Sequence, residues 1–265
     1  RVWSEVQDAR PADQSLTTSA TSASAAKTRI QPLIATAKTR IAAEKSAATL
    51  DVTLPKIPAA TFDFSSKEGL ALWLRPAATN PRDVALFSGI NYVGSPADAA
   101  YGKGRELRLI DGELELRICD RYPAYSVIVR STGAGLPPEE WRHVAVTYAG
   151  GRKAADVRFY VDGVELATET RYDDLFGDPP KREFLVGTDN STDAARWQGE
   201  LEEARSYPRV VATEALRALF AVRALPRALA ALAAPARVAT ERDRAILRDA
   251  LLAADDATRD TIATR

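Results

Sequence analysis

The stretch Trp141-Arg142-His143-Val144-Ala145-Val146-Thr147-Tyr148 decides the fold of this chain. From Val144 to Tyr148 every second residue is a large apolar one, which is the two-residue period of a half-buried strand. The run Val157–Val161 repeats this period and ends at Asp162-Gly163, a dipeptide that tolerates the positive φ angles of a tight hairpin turn. The two runs therefore predict neighbouring antiparallel strands.

Working outward from this pair, further alternating runs fill the chain between residues 61 and 210. They lie at Leu70–Leu74, Val84–Phe87, Leu107–Leu109, Leu114–Ile118, Val127–Val129, Phe184–Val186 and Trp197–Tyr207. They recur about every 8 to 12 residues without helical segments between them, a spacing typical of an antiparallel sandwich. The dipeptide Asp111-Gly112 predicts a second hairpin turn.

The strand that follows this turn has two chemically different sides. Leu114, Leu116 and Ile118 face the core in this pattern, whereas Glu113, Glu115, Arg117 and Cys119 share the opposite side. We interpret the charged side as the solvated outer face of an edge strand. Cys119 is the only cysteine, so no intrachain disulfide forms, and a structural role is expected for it.

Composition divides the chain into three regions. We predict a helical N-terminal extension and linker over 1–60, a sandwich over 61–210 and a C-terminal helical extension over 211–265. Because proline is tolerated only in the first turn of a helix, Pro32 places the first helix at 32–49, and Pro226 breaks the segment 224–236 into short pieces. Thr240 with Asp243 has the spacing of a capping box at the start of a last helix, 240–254.

The charge balance excludes some partners. The 36 basic residues equal the 36 acidic ones, whereas a strong non-specific nucleic-acid binder carries a basic surface. No apolar run reaches the roughly 20 residues of a membrane-spanning helix. The sequence therefore predicts neither a nucleic-acid partner nor a membrane span in this segment.

Three motifs together resemble a known family. W-x-H-V-A-V-T-Y at 141–148, F-Y-V-D-G at 159–163 and W-x-G-E-L at 197–201 are similar to the laminin-G-like, concanavalin A-like jelly roll, over roughly 61–222. The resemblance implies a mostly β fold, an antiparallel two-sheet jelly-roll sandwich with flanking N- and C-terminal α-helices. It also implies an extracytoplasmic location, periplasmic or secreted, since the family consists mostly of extracellular binding modules, with a minority of glycan-cleaving enzymes.

A second resemblance concerns the wider protein. A jelly roll followed by a helix such as Thr240–Arg248 looks like a segment of large planctomycete proteins that contain a cytochrome c-like region. This implies that the rest of a larger parent chain is a partner of the segment, and the start at Arg1 and the absence of Met agree with an excised piece. The segment has no Cys-x-x-Cys-His and cannot attach haem itself.

A catalytic function is not predicted. The glucanases of the resembled family, the laminarinase type, carry E-x-D-x-x-E on one strand, and the nearest match is Glu200–Arg205. Arg205 stands where the acid/base carboxyl is needed, so the two-carboxylate mechanism lacks its acid. Glu200 and Glu202 are interpreted instead as the outer face of an edge strand, with Arg205 as their pairing partner. His143, the only histidine, lies in a strand after Trp141 and is interpreted as a framework residue. We therefore expect a non-catalytic binding module.

The candidate ligand-binding residues lie in the long loops, where function concentrates. Aromatic rings stack on the C–H faces of sugars, while amides and guanidinium groups bond to the hydroxyls, so a glycan is the expected ligand. Each tyrosine can equally cap the core and leave only its hydroxyl in water. The candidates are Asn91, Tyr92, Tyr101, Arg121, Tyr122 and Tyr125.

Two further expectations remain open beside this one. Asp189, Asn190 and Asp193 supply closely spaced oxygen ligands that suit calcium, although the same residue types also build ordinary turns. The alternative to a glycan binder is a structural or protein-interaction insert with no small ligand, in which the apolar stripes of helices 33–49 and 240–254 pack on a protein partner. A degenerate glycoside hydrolase is a third reading.

Overall fold

The central part of the chain folds into two antiparallel β-sheets. The computed structural model describes residues 19–44, 48–58, 64–233 and 239–263. The first sheet has six strands, in the spatial order β1 (Ala48–Thr49), β13 (Gly199–Tyr207), β3 (Glu68–Pro76), β8 (Arg142–Tyr148), β9 (Val157–Val161) and β10 (Val164–Glu165). The second has seven, in the order β11 (Ala167–Asp173), β7 (Tyr125–Thr132), β6 (Glu113–Arg121), β5 (Gly104–Ile110), β4 (Asp83–Ser88), β12 (Phe184–Val186) and β2 (Lys56–Ile57). The predicted fold class is confirmed.

The stretch that begins at Trp141 forms β8, in the interior of the six-stranded sheet. Val146 lies opposite Leu70 of β3 on one side and Phe159 of β9 on the other. All three side chains are buried in the sandwich core, together with Leu116 and Val129 of the second sheet. The alternation in the sequence therefore marks the core face of both sheets correctly.

Both predicted hairpin turns form. Ile110 pairs with Glu113 around Asp111-Gly112, and Val161 pairs with Val164 around Asp162-Gly163. All four turn residues have positive φ, as a two-residue turn of this kind requires. Asp162 also accepts hydrogen bonds from the His143 amide at 3.1 Å and from Arg142 at 3.0 Å, which explains an aspartate in this turn.

The helices depart from prediction at their prolines. Helix α1 (Ser19–Ala43) contains Pro32 in its interior, and α2 (Thr213–Ala233) runs through Pro226. The expected start at residue 32 and the expected broken segment at 224–236 are therefore wrong for the described residues. Helix α3 (Glu241–Ala263) begins as predicted, since Thr240 Oγ1 accepts from the Asp243 amide at 3.1 Å and the Asp243 carboxylate accepts from the Thr240 amide at 3.0 Å.

The chain divides into two compact units, residues 45–217 and residues 1–44 with 218–265. The second unit has an apolar core of its own, built from one stripe of each helix. Its buried members are Ala26, Ile30, Ile34, Leu225, Ala228, Leu247 and Leu251. Among the helices of the described residues, none combines the length and apolar character that crossing a lipid bilayer requires.

Candidate functional site

One face of the seven-stranded sheet carries charged side chains. On β5 and β6, Glu106 lies directly opposite Arg117, and Arg108 lies directly opposite Glu115. Alternation places these four residues on the side away from the core leucines of the same strands. Each cross-strand pair joins opposite charges, an arrangement that stabilises an antiparallel sheet.

Ion pairs connect these residues into one network. Glu106 is shared between Arg108, at 2.8 Å, and Arg117, at 3.3 Å. Glu115 is shared between Arg117, at 2.7 Å, and Arg130 of β7, at 2.8 Å. Carboxylates and guanidinium groups thus alternate across three strands, and we call Glu106, Arg108, Glu115, Arg117 and Arg130 the charged network.

The charged network is buried, which corrects the interpretation of this face. Glu106 has 0% and Glu115 2% of its surface exposed, and β6 is an interior strand of its sheet. The expectation that Glu113, Glu115 and Arg117 form the outer face of an edge strand is therefore wrong. Buried charges are tolerated only when they are paired and hydrogen-bonded, and the sharing of each carboxylate between two guanidinium groups meets that condition.

Tyr92 covers one end of the charged network. Its hydroxyl donates to Glu106 at 3.0 Å and accepts from Arg117 at 3.3 Å. Burial, and then the neighbouring Glu106 carboxylate, raise the pKa of Tyr92 far above its ordinary value, so the hydroxyl stays protonated. Tyr92 is consequently fixed in one orientation.

Two further tyrosines pack edge-on against Tyr92. The ring centroids of Tyr101 and Tyr122 lie 6.3 and 6.1 Å from that of Tyr92. Arg117 places its guanidinium 5.1 Å from the Tyr122 ring centroid, in cation–π geometry. All three tyrosines keep part of their surface in solvent. The structure therefore brings together three of the predicted residues, Tyr92, Tyr101 and Tyr122, which we call the tyrosine cluster.

Asn91 and Asn190 fasten the loops that carry this cluster. The Asn91 amide group donates to the carbonyls of Val93 and Ala100, and its oxygen accepts from Asn190 at 3.2 Å. Asn190 in turn accepts from the Tyr92 backbone amide at 2.8 Å. Both side chains are engaged in holding the loop, so Asn91 positions Tyr92 in this structure.

Asp189, one of the residues predicted to bind calcium, belongs to the same region. Burial opposes its ionisation, but hydrogen bonds from Arg108, at 2.9 Å, and from Ser191 outweigh burial and lower its pKa. Asp193 is exposed. Among the described residues no three His, Cys, Asp or Glu side chains gather so as to hold a metal ion. Both Asp189 oxygens thus already have hydrogen-bond partners. Calcium binding by Asp189, Asn190 and Asp193 stays a prediction.

Beside Asn190 opens a groove with a volume of about 330 Å³. Lys56, Arg182 and Glu183 line it, and so does Ser88, whose hydroxyl is buried with no hydrogen-bond partner in the described part of the chain. No sequence pattern predicts this groove, because its residues come from three separate segments of the chain.

Tyr125 and Arg121 are not members of the tyrosine cluster; they are backbone partners at the end of the β6–β7 hairpin, on either side of Tyr122. Tyr125 packs instead against Phe176, with ring centroids 6.2 Å apart. Sequence reasoning missed Phe176. One feature of the sequence could have indicated Phe176: it is an isolated aromatic residue in the polar turn segment 173–180, which has no apolar alternation that would place its ring in the core.

The carboxylates of β13 do not face the charged network. Glu200 pairs with Arg75 of the neighbouring strand, and β13 itself lies between β1 and β3 rather than at an edge. The expected pairing of Glu200 with Arg205 on an edge strand is therefore wrong. His143 is buried, with its ring centroid 5.4 Å from that of Trp73.

Cys119 is expected to be unreactive in the folded protein. Its thiol is fully buried, and burial, with the nearby Glu106 carboxylate, raises its pKa far above the ordinary value, so the nucleophilic thiolate is not populated near neutral pH. We expect a thiol reagent such as DTNB to label it only after addition of denaturant. Stoichiometric labelling of the native protein within minutes would contradict this assignment.

A known protein family matches most of the sandwich unit. Residues 51–216 match the family described as the concanavalin A-like lectin/glucanases superfamily. No curated protein matches the chain.

Several solved structures are similar in outline. The binding domain of Paraclostridial Mosquitocidal Protein 1 is 17% identical, with 60% of this chain and 38% of that chain covered, at a TM-score of 0.44. The ligand-binding domain of Botulinum neurotoxin serotype D, in complex with N-acetylneuraminic acid, is 13% identical, with 60% and 37% covered, at 0.43. The Ruminococcus gnavus IT-sialidase CBM40 bound to alpha2,3 sialyllactose is 16% identical, with 58% and 83% covered, at 0.46. This chain thus spans less than two fifths of the toxin domains, and what each of these domains binds is a property of that domain.

Proposed function

Because this chain belongs to the concanavalin A-like lectin/glucanase superfamily, we propose that it is a non-catalytic module that binds a glycan at the tyrosine cluster. The fixed geometry of that cluster carries the proposal. Tyr92 is locked by Glu106 and Arg117, and Tyr101 and Tyr122 stand edge-on against it. Rings held in place before binding lose little conformational entropy when a sugar stacks on them.

Polar groups that suit sugar hydroxyls lie next to the cluster. The groove beside Asn190 offers the exposed side chains of Lys56 and Arg182. Ligand sites commonly combine aromatic side chains with a few such polar groups. We include this groove in the proposed site.

The state of the carboxylates supports binding rather than hydrolysis. A retaining glycosidase needs two carboxyls about 5–5.5 Å apart, one of them able to donate a proton. Glu106 and Glu115 are each held by two guanidinium groups and are buried, and Glu200 is paired with Arg75. None of the three is arranged as a proton donor to a bound sugar.

The alternative of a protein-interaction insert loses the observation that motivated it. The apolar stripes expected to meet an external partner include Ile34 and Leu247, and both are buried in the core shared by α1, α2 and α3. A glycan array read with and without calcium separates the two functions. Binding abolished by EDTA would support the calcium prediction, and no binding to any glycan would contradict the proposed function.

We expect Tyr122→Ala to weaken glycan binding by about 2- to 12-fold, since an aromatic contact of this kind contributes about 0.5–1.5 kcal/mol. Isothermal titration with the strongest array ligand measures the change. Val164→Ala, which truncates an exposed side chain on the other sheet, is the control and should bind as the unmodified protein does. Equal affinities for Tyr122→Ala and Val164→Ala would remove the tyrosine cluster from the site.

An extracytoplasmic location and a larger cytochrome-containing parent chain belong to the same proposal. The coding sequence on either side of this segment tests both, through a signal peptide and a Cys-x-x-Cys-His motif.

A further inference from the structure

A second aromatic surface lies beyond the tyrosine cluster. Phe176 is 79% exposed and Tyr125 44% exposed, and their rings pack against each other. Tyr172, at the end of β11, is also exposed. Of the large exposed apolar side chains in the described residues, the aromatic ones are these three, and all lie where β7 begins and β11 ends.

The Phe176 segment is held firmly although its ring is in solvent. Arg152 donates to the Phe176 carbonyl at 3.1 Å and to the Gly177 carbonyl, and it pairs with Asp178 at 2.9 Å. The Asp174 amide donates to the Ser126 carbonyl at 2.9 Å, which ties the segment to β7. An aromatic ring displayed in water on an anchored backbone is typical of a contact site rather than of a loose loop.

The loops of the two surfaces meet at Asp120. Its carboxylate accepts from Lys103, in the loop of Tyr101, at 3.2 Å. The same carboxylate packs on Gly177, where an added Cβ would lie 2.5 Å from the Asp120 Cγ. Asp120 therefore contacts the loop of Tyr101 and the Phe176 segment at once.

The β6–β7 hairpin turn is a second connection between the tyrosine cluster and the Tyr125–Phe176 pair. Tyr122 and Tyr125 are three residues apart, so their Cα atoms are separated by at most about 11 Å. The tyrosine cluster and the Tyr125–Phe176 pair thus form one series of five aromatic residues along one end of the seven-stranded sheet. We call this series, Tyr101, Tyr92, Tyr122, Tyr125 and Phe176, the aromatic strip.

We infer that the aromatic strip binds an extended linear oligosaccharide, with several sugar units in contact, and not a single terminal sugar. The ring centroids lie 6.1 to 6.3 Å apart within the tyrosine cluster and within the Tyr125–Phe176 pair, so the five rings together extend over more than one pyranose unit. Charged groups of both signs, Arg121 and Asp120 among them, border the rings and suit hydroxyls rather than the dry apolar core of a protein interface. This inference rests on the proposed glycan function.

The test is the dependence of affinity on oligosaccharide length. The probes are size series, from two to six units, of β-1,3-glucan, β-1,4-glucan, β-1,4-xylan and β-1,4-mannan oligosaccharides, titrated into the full chain. We expect affinity to rise with length for the series that binds. Phe176→Ala should leave the affinity for the shortest bound member unchanged and weaken the hexamer by about 2- to 12-fold.

A second variant tests whether the fixed position of the Phe176 ring, and not only its presence, contributes to binding. Arg152→Ala releases the Phe176 backbone without removing its ring and should also weaken the hexamer selectively. If short and long members bind equally, or if Phe176→Ala has no effect on the hexamer, the inference fails while the proposed function stands. If none of the four series binds, the extended-chain inference is overturned, and the glycan array then decides the proposed function separately.

Discussion

Glu106→Ala is expected to lower the free energy of unfolding of the sandwich by about 3–5 kcal/mol, the usual effect of removing one partner from a buried ion pair. Glu106 has no exposed surface and neutralises Arg108 and Arg117 together, while its Oε2 also accepts from Tyr92. Removing it leaves two guanidinium groups beside a cavity, with fewer carboxylates to pair with them. The tyrosine cluster should loosen as well, because Tyr92 loses its acceptor.

Urea denaturation followed by tryptophan fluorescence measures this effect, since Trp73, Trp141 and Trp197 all lie in the sandwich unit. The control is Arg82→Ala, which breaks an ion pair with Asp111 in which Arg82 is 88% exposed. Surface pairs of this kind contribute little, so the control midpoint should barely move. Equal losses of unfolding free energy in Glu106→Ala and Arg82→Ala would show that the buried charged network stabilises the fold no more than a surface ion pair does.

The elements that the sequence predicted well are those fixed by neighbours along the chain. Alternation from Trp141 to Tyr148 marks a strand in its own right, and Asp-Gly at 111–112 and 162–163 supplies the positive φ that each turn needs. The Thr240–Asp243 cap is equally local. Such features require no knowledge of what packs on them.

Proline in the helices shows where local reasoning stops. A proline removes one backbone hydrogen bond and crowds the preceding turn, so Pro32 and Pro226 each disfavour a continuous helix. In α1, however, Ile30 and Ile34 on either side of Pro32 are both buried in the core of the helical unit. Burial of these side chains offsets the penalty, and that contribution becomes visible only once the three helices are seen together.

The candidate site was half predictable for a similar reason. Composition and loop length pointed to Tyr92, Tyr101 and Tyr122, but the alternation on β6 shows two faces without showing what covers the charged one. The burial of Glu106 depends on the path of the loop that carries Tyr92, which has no periodic pattern. Phe176 was missed because its partner, Tyr125, is 51 residues away in the chain.

The backbone beneath that loop gives the last prediction, that Gly104→Ala costs about 3 kcal/mol or more of stability and abolishes glycan binding. Gly104 has φ of +140°, and a Cβ there would lie 2.7 Å from the Gly89 carbonyl carbon and 2.8 Å from the Ile90 Cα. Backbone strain and overpacking each contribute about 1–3 kcal/mol, and here both act at once against main-chain atoms that have little room to move. The ends of the loop are joined at this point, where the Asn91 amide donates to the Lys103 carbonyl at 3.0 Å and the Gly102 amide donates to the Asn91 carbonyl at 2.7 Å. Parting β4 from β5 would therefore displace Tyr92 and Tyr101 together.

Gly133→Ala separates the two causes. Gly133 also has positive φ, +85°, but an added Cβ would meet no atom within 4 Å, so only the backbone term of about 1–2 kcal/mol applies. Denaturation midpoints and titrations on the same glycan compare the two variants. We expect Gly133→Ala to bind normally after a small loss of stability, and Gly104→Ala to lose binding even under conditions where it remains folded. Normal binding by folded Gly104→Ala would contradict this prediction. It would mean that the loop keeps its position when β4 and β5 separate, and that glycan binding by the tyrosine cluster does not depend on the attachment of the loop at Gly104.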